Sequence, residues 1–148
     1  MTSWRDRASA QAQDDLDGIL GPALEVAQQH LAQRGEFYPY AVAVDTSGDH
    51  EMIAADLPEV RPTSARVIAA LTHALTARRE QLRAIAIVTD THVPELASDA
   101  IRASLEHREG VALAVLLPYS HRRFRGGIEY GQLQATTANT LRLVNSLR

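Results

Sequence analysis

The chain switches between two hydrophobic periods, and the switch points predict its elements. Leu16, Ile19, Leu20, Leu24, Ala27 and Leu31 recur at three- and four-residue steps, the stride of a helix with one apolar face. Gly21-Pro22 falls inside that run. Proline lacks an amide donor and is best tolerated in a helix's first turn, so a break near 18–21 is expected, with a second helix from Pro22 to Arg34 and Gly35 as its C-terminal cap. From Phe37 to Val44 the period shortens to two: Tyr40, Val42 and Val44 alternate with alanines, which reads as a strand. DTSGD at 45–49 supplies turn chemistry, and EMIAA at 51–55 reads as the returning strand.

The helical period resumes at Val67, Ile68, Leu71, Ala74 and Leu75, with Thr63 or Ser64 as N-cap and Arg78-Arg79 suited to the negative end of the dipole. LRAIAIVTD, 82–90, is apolar at consecutive positions from Ala84 to Val88, the signature of a strand covered on both faces. AIRASLEH, 100–107, alternates with Ile101, Ala103 and Leu105 on one face. Arg108-Glu109-Gly110 fits a hairpin loop with glycine where φ is positive, and VALAVLLPY returns over 111–119. SHRRFRGG forms a loop and IEYGQLQAT, 128–136, a further strand; in the tail, Leu141, Leu143 and Leu147 fit a strand, while Leu143, Val144 and Leu147 fit a short helix. The order α-β-β-α-β-β-β-β, joined by hairpin-length connections, predicts one α+β domain over residues 1–148, with 1–13 a loosely ordered lead-in. Its sheet should be antiparallel or mixed, of about six strands, with helices packed on one side.

Composition narrows the chemistry. Apolar residues make up 45% and charged residues 22%, an ordinary globular balance, and the net charge of −3 gives no general reason to bind nucleic acid or an anionic membrane. All basic residues are arginines, so Schiff-base lysines and lysine phosphate loops are excluded. The absence of cysteine excludes disulfides and thiol chemistry. No apolar run approaches about 18 residues and the start has no hydrophobic signal core, so the expected compartment is the cytoplasm, with no membrane partner.

Motifs for metal and nucleotide chemistry fail on spacing. Aligning Gly18 of DDLDGIL with a calcium-loop glycine puts Gln13 and Leu24 at the ligand positions that need acids. The histidines (30, 50, 73, 92, 107 and 121) include no pair at i,i+4 on one helix, and Gly126-Gly127 belongs to no phosphate-loop pattern, so no metal and no cofactor is expected. No serine stands in a nucleophile-elbow context. HRRFRGG combines arginines with an aromatic, as nucleic-acid sites do, but three arginines are a small footprint on a net-acidic chain, and nucleic acid is not the expected partner.

Aromatic placement is more informative. Six of the seven aromatic side chains fall in two windows: Phe37, Tyr38 and Tyr40, then Tyr119, Phe124 and Tyr130. They either plug one end of the core or form a tyrosine-rich patch beside an arginine loop, the composition of a protein interface.

GEFYPYAVAVDTSGD resembles a GEFYPF-A…D-x-x-G opening, and SDAIRASLEHREGVALAVLLPY resembles an AI…LEH-x-x-G…PY hairpin. With EYGQL, these make the stretch from Gly35 to Ala135 similar to a family of small uncharacterised bacterial proteins. That resemblance implies a stand-alone cytoplasmic α+β protein and carries over no catalytic residue and no cofactor. The function expected on all of this is non-enzymatic: a protein that binds a partner, or itself as a homo-oligomer, through Phe37, Tyr38, Tyr40, Tyr119 and Tyr130 with His121, Arg122 and Arg123. Two alternatives stand beside it. One is a small hydrolase or ligand-binding enzyme using His92 or His121 with Asp90, Glu106 or Glu129 as acid and base. The other, resting on element order alone, is a profilin-like signalling module with a five-stranded sheet between helices and a helical C-terminus.

Overall fold

The computed structural model describes residue 5, residues 8–124 and residues 126–137, so the two readings of the tail beyond 137 lie outside the described residues. Its elements follow the expected order: α1 (Ala10–Arg34), β1 (Tyr40–Asp45), β2 (His50–Ile53), α2 (Ser64–Ala77), β3 (Leu82–Val93), β4 (Ser98–His107), β5 (Val111–His121), β6 (Ile128–Tyr130) and β7 (Gln134–Thr137). The sheet runs β2-β1-β3-β4-β5-β6, with β7 also on β5, and every pairing is antiparallel.

The expected break in the first helix is absent: α1 is continuous, with Pro22 inside it. Proline removes only the amide that would bond the Gly18 carbonyl, and its ring is exposed. The buried positions Leu16, Ile19, Ala23, Ala27 and Leu31 keep one register on both sides of Pro22, so packing on the sheet holds the two halves collinear. The ends are built as the sequence requires. Ser9 Oγ accepts from the Ala12 amide at 3.1 Å, and Gly35, at φ 78°, ends the helix.

The two helices lie on opposite faces, which corrects the expectation that both pack on one side. Tyr40, Val42 and Val44 of β1 and Ala84, Ala86 and Val88 of β3 share a core with α1. The alternate residues Ala41, Ala43, Ile85 and Ile87 pack against Val67, Leu71 and Leu75 of α2. Connectivity explains the difference. β2 and β3 both flank β1 and run parallel to each other, so the link between them has to cross a face, and it carries α2 over the face that α1 leaves bare. The expected strand over 128–136 is likewise split. Gly131 donates to the Pro118 carbonyl at 2.8 Å, and a Cβ there would stand 3.3 Å from Pro118 Cβ, so the chain turns in against β5 and re-pairs one residue out of register.

A buried polar group fixes α1 on the sheet. Asp15 of α1 is 7% exposed; its Oδ1 accepts from Arg83 Nη2 of β3 and its Oδ2 from His107 Nε2 of β4, both at 2.8 Å. The Glu109 amide donates to His107 Nδ1 at 3.2 Å, which leaves the imidazole proton on Nε2, facing Asp15. Asp15→Ala removes the acceptor for both donors and should lower the unfolding free energy by about 3 kcal/mol in urea denaturation. Arg66→Ala, which breaks the exposed pair with Glu59, should change it by less than about 1 kcal/mol. Equal effects from the two would contradict this account. Pro22→Ala should raise stability by up to about 3 kcal/mol in the same assay, since it restores a helix hydrogen bond at an exposed position.

Candidate functional site

Leaving α1 at Gly35, the chain crosses to β1 through Glu36–Pro39, and the two aromatic windows meet around this crossing. Phe37 and Tyr40 lie 5.8 Å apart between ring centroids, with His30 of α1 6.5 and 6.3 Å from them. Tyr40 is 6% exposed and its hydroxyl donates to the Ala23 carbonyl at 2.5 Å. Burial pushes its pKa up, only partly offset by the Ala27 backbone. Tyr40 therefore anchors α1 just beyond Pro22 and offers little surface to a partner.

On the outer side of the crossing is an open groove of about 450 Å³. Its walls are Phe37, Tyr38, Pro39 and Tyr40 from the crossing and β1, Met52 from β2, Ala54, Ala55, Leu57 and Pro62 from the following loop, and Val67 from α2. The polar side chains are His30 and Arg34 at one wall and Glu59 at the other. Two large apolar side chains stay exposed there, Met52 at 57% and Tyr38 at 51%. The groove adjoins a sheet edge, because among the described residues β2 pairs only with β1. The Asp45 amide donates to the Asp49 carbonyl at 3.0 Å, and antiparallel pairs alternate, so Glu51 and Ile53 turn their backbone groups toward β1 while His50 and Met52 turn theirs outward.

On the inner side, beyond the end of α1, β3 to β6 form a polar row: His92 opposite Asp99, Asp99 opposite Tyr119, Tyr119 opposite Tyr130. His92 Nδ1 and Asp99 Oδ1 are 3.0 Å apart, both exposed. Tyr119, 5% exposed, donates to Asp90 Oδ1 at 2.5 Å, and its ring meets His121 edge-on at 5.8 Å. His121 also closes on the helix end, since a Cβ on Gly35 would stand 3.5 Å from its Cε1. Burial raises the Asp90 pKa; the Tyr119 hydroxyl and the Phe37 backbone pull it back, while Asp99 and Glu36 add repulsion. Burial and the Asp90 carboxylate raise Tyr119 in turn.

The proposed surface residues thus divide. Tyr40 and Tyr119 are inside the α1 core, with Phe37 and Tyr130 half-buried against it. Tyr38 lines the groove, and His121, Arg122 and Arg123 begin the exposed β5–β6 loop. In that loop the Arg122 amide donates to the Gly127 carbonyl at 3.1 Å, Gly126 and Gly127 hold positive φ at 65° and 88°, and Phe124 is 84% exposed. Of the hydrolase alternative's residues, His92, Asp90 and His121 share the row through Asp99 and Tyr119, but among the described residues no hydrogen bond joins His92 or His121 to Asp90, Glu106 lies on the opposite face, and Glu129 is exposed. The profilin-like alternative called for five strands between helices; the sheet does lie between the two helices but has seven strands among the described residues, and the expected helical C-terminus lies outside them. Sequence reasoning missed Met52, Leu57, Pro62 and Arg34, which come together only through the loop after β2. Among the described residues no group of three or more His, Asp and Glu side chains is placed to hold a metal ion, and no helix is long and apolar enough to cross a membrane. Comparison with protein-family models, curated proteins and solved structures finds no match to this chain.

Because the folded state holds the Asp90 proton more tightly than the unfolded chain does, the group favours folding most below its ordinary value of 3.8 and loses that contribution as pH rises through the folded value. Tyr119→Phe removes a hydrogen bond that favours the carboxylate, so the Asp90 carboxyl carbon followed by NMR should titrate at higher pH than in the wild type. A midpoint that is unchanged or lower would contradict the assignment.

Proposed function

We propose that the chain is a non-catalytic protein-interaction module whose groove takes up an aromatic side chain from an extended protein segment. The observation that carries this reading is the pairing of exposed Met52 and Tyr38 at the mouth of an apolar groove that adjoins an open strand edge. Large exposed apolar side chains with a polar rim are the usual mark of a binding surface, and methionine adapts to the shape of what it meets. The outward backbone groups of His50 and Met52 can hold an extended segment by strand addition, while the groove reads one of its side chains. The rim of Arg34, His30 and Glu59 orients the segment and brings no nucleophile–base pair into hydrogen-bonding range. The reading suits a cytoplasmic protein that works with a partner or with copies of itself.

Short peptides with a central phenylalanine should shift the Met52, Ala54 and Ala55 methyl signals saturably in NMR titration. Met52→Glu should weaken that binding by about tenfold or more. Methyl signals that stay fixed at saturating peptide, for arginine-flanked and glutamate-flanked sequences alike, would refute the reading.

A further inference from the structure

The chain carries its own candidate for the groove, and we propose that the occupant is Phe124 of a second copy. This inference rests on the groove being an aromatic-accepting site. Phe124 is 84% exposed, in contrast to Tyr40 and Tyr119 inside the core. It projects from a turn closed by the Arg122–Gly127 backbone bond, with glycines at the two positive-φ positions, so the protein displays this ring on a built support. The groove, about 450 Å³, falls within the size range of sites that enclose small apolar groups.

Charge sets the pairing. The stretch from Asp45 to Glu59, which holds β2 and enters the groove wall, contains five acidic residues and no arginine. Glu51 and Glu59 are paired with Arg78 and Arg66, while Asp49 and Asp56 are exposed and make no ion pair among the described residues. The loop brings Arg122 and Arg123 beside Phe124, all exposed. Seating the phenyl ring in the groove brings these guanidinium groups to the wall formed by the loop after β2, where Asp56 is exposed between the lining residues Ala55 and Leu57, with Arg34 and His30 on the far wall. Loop and groove are different surfaces, so the contact is isologous where two copies exchange loops reciprocally and heterologous where it closes as a ring or propagates.

Sedimentation velocity over a concentration series tests this. The wild type should self-associate, more weakly at high salt as the rim charges are screened. Phe124→Glu and Met52→Glu, both at exposed positions, should each be monomeric with an unchanged circular dichroism spectrum. Mixing the two should restore a one-to-one complex, because the first keeps an intact groove and the second an intact loop. A wild type that stays monomeric overturns the inference; if phenylalanine peptides still shift the Met52 methyl, the groove reading survives with a different partner. Self-association retained in Phe124→Glu, or no complex in the mixture, overturns it as well.

Discussion

The run Ala84–Val88 leaves β3 no face that can stand in water, and this demand organises the molecule. Burial of five consecutive side chains requires a cover on each side of the sheet, and each cover has to come from a different part of the chain. α1 supplies one and α2 the other. Their footprints differ in kind. Under α2 the first strand presents Ala41 and Ala43, small enough for close approach, while under α1 it presents Tyr40, Val42 and Val44. On β3 the sizes reverse, with Ala84 and Ala86 under α1 and Ile85 and Ile87 under α2, and polar anchors near the start and the middle of α1 define where it sits: Asp15 to Arg83 and His107, and the Ala23 carbonyl to Tyr40.

That placement creates the groove. α1 packs chiefly on β3 and β4 and meets the first strand through Tyr40, whose hydroxyl bonds the Ala23 carbonyl at the middle of the helix. On the same face of β2, His50 lies beside Gly18 of α1, while Met52 stays in the open. The Gly35 turn sends the chain back across this gap, lining it with Phe37, Tyr38 and Pro39, while the loop toward α2 closes the other wall with Leu57 and Pro62. No single element is built as a binding surface. The site is the space between the last turns of α1, the crossing that follows Gly35 and the loop after β2.

How much of this was legible follows from the range of each interaction. The helical stride through Leu16–Leu31, the alternation in β1 and the Gly110 hairpin are set by neighbours in sequence, and they emerged as read. The hairpin even fixed which residues of β4 and β5 face each other, so the Asp99–Tyr119 pairing followed from the position of one glycine. What failed depended on partners far along the chain. Pro22 signals a break in isolation, yet tertiary packing on both sides overrides it. The side chosen by α2 depends on the β2-to-β3 crossover, which no local pattern encodes. The Asp15–His107 contact spans 92 residues, and nothing around either residue announces the other.

The two sheet edges show how the fold separates pairing from recognition. Past β5, among the described residues, the edge is broken: β6 and β7 are out of register with each other and divided at Gly131, which makes a poor template for another strand. At the other edge β2 is short, but its outward groups at His50 and Met52 stand beside an apolar groove with acidic surroundings. If strand addition were the whole of recognition, any extended segment would fit there. On the proposed reading, a groove that takes an aromatic ring and a rim of Arg34, His30 and Glu59 that orients the segment would add two requirements to the backbone match. Specificity then rests on side chains, and four residues of open edge can be tolerated without inviting indiscriminate pairing.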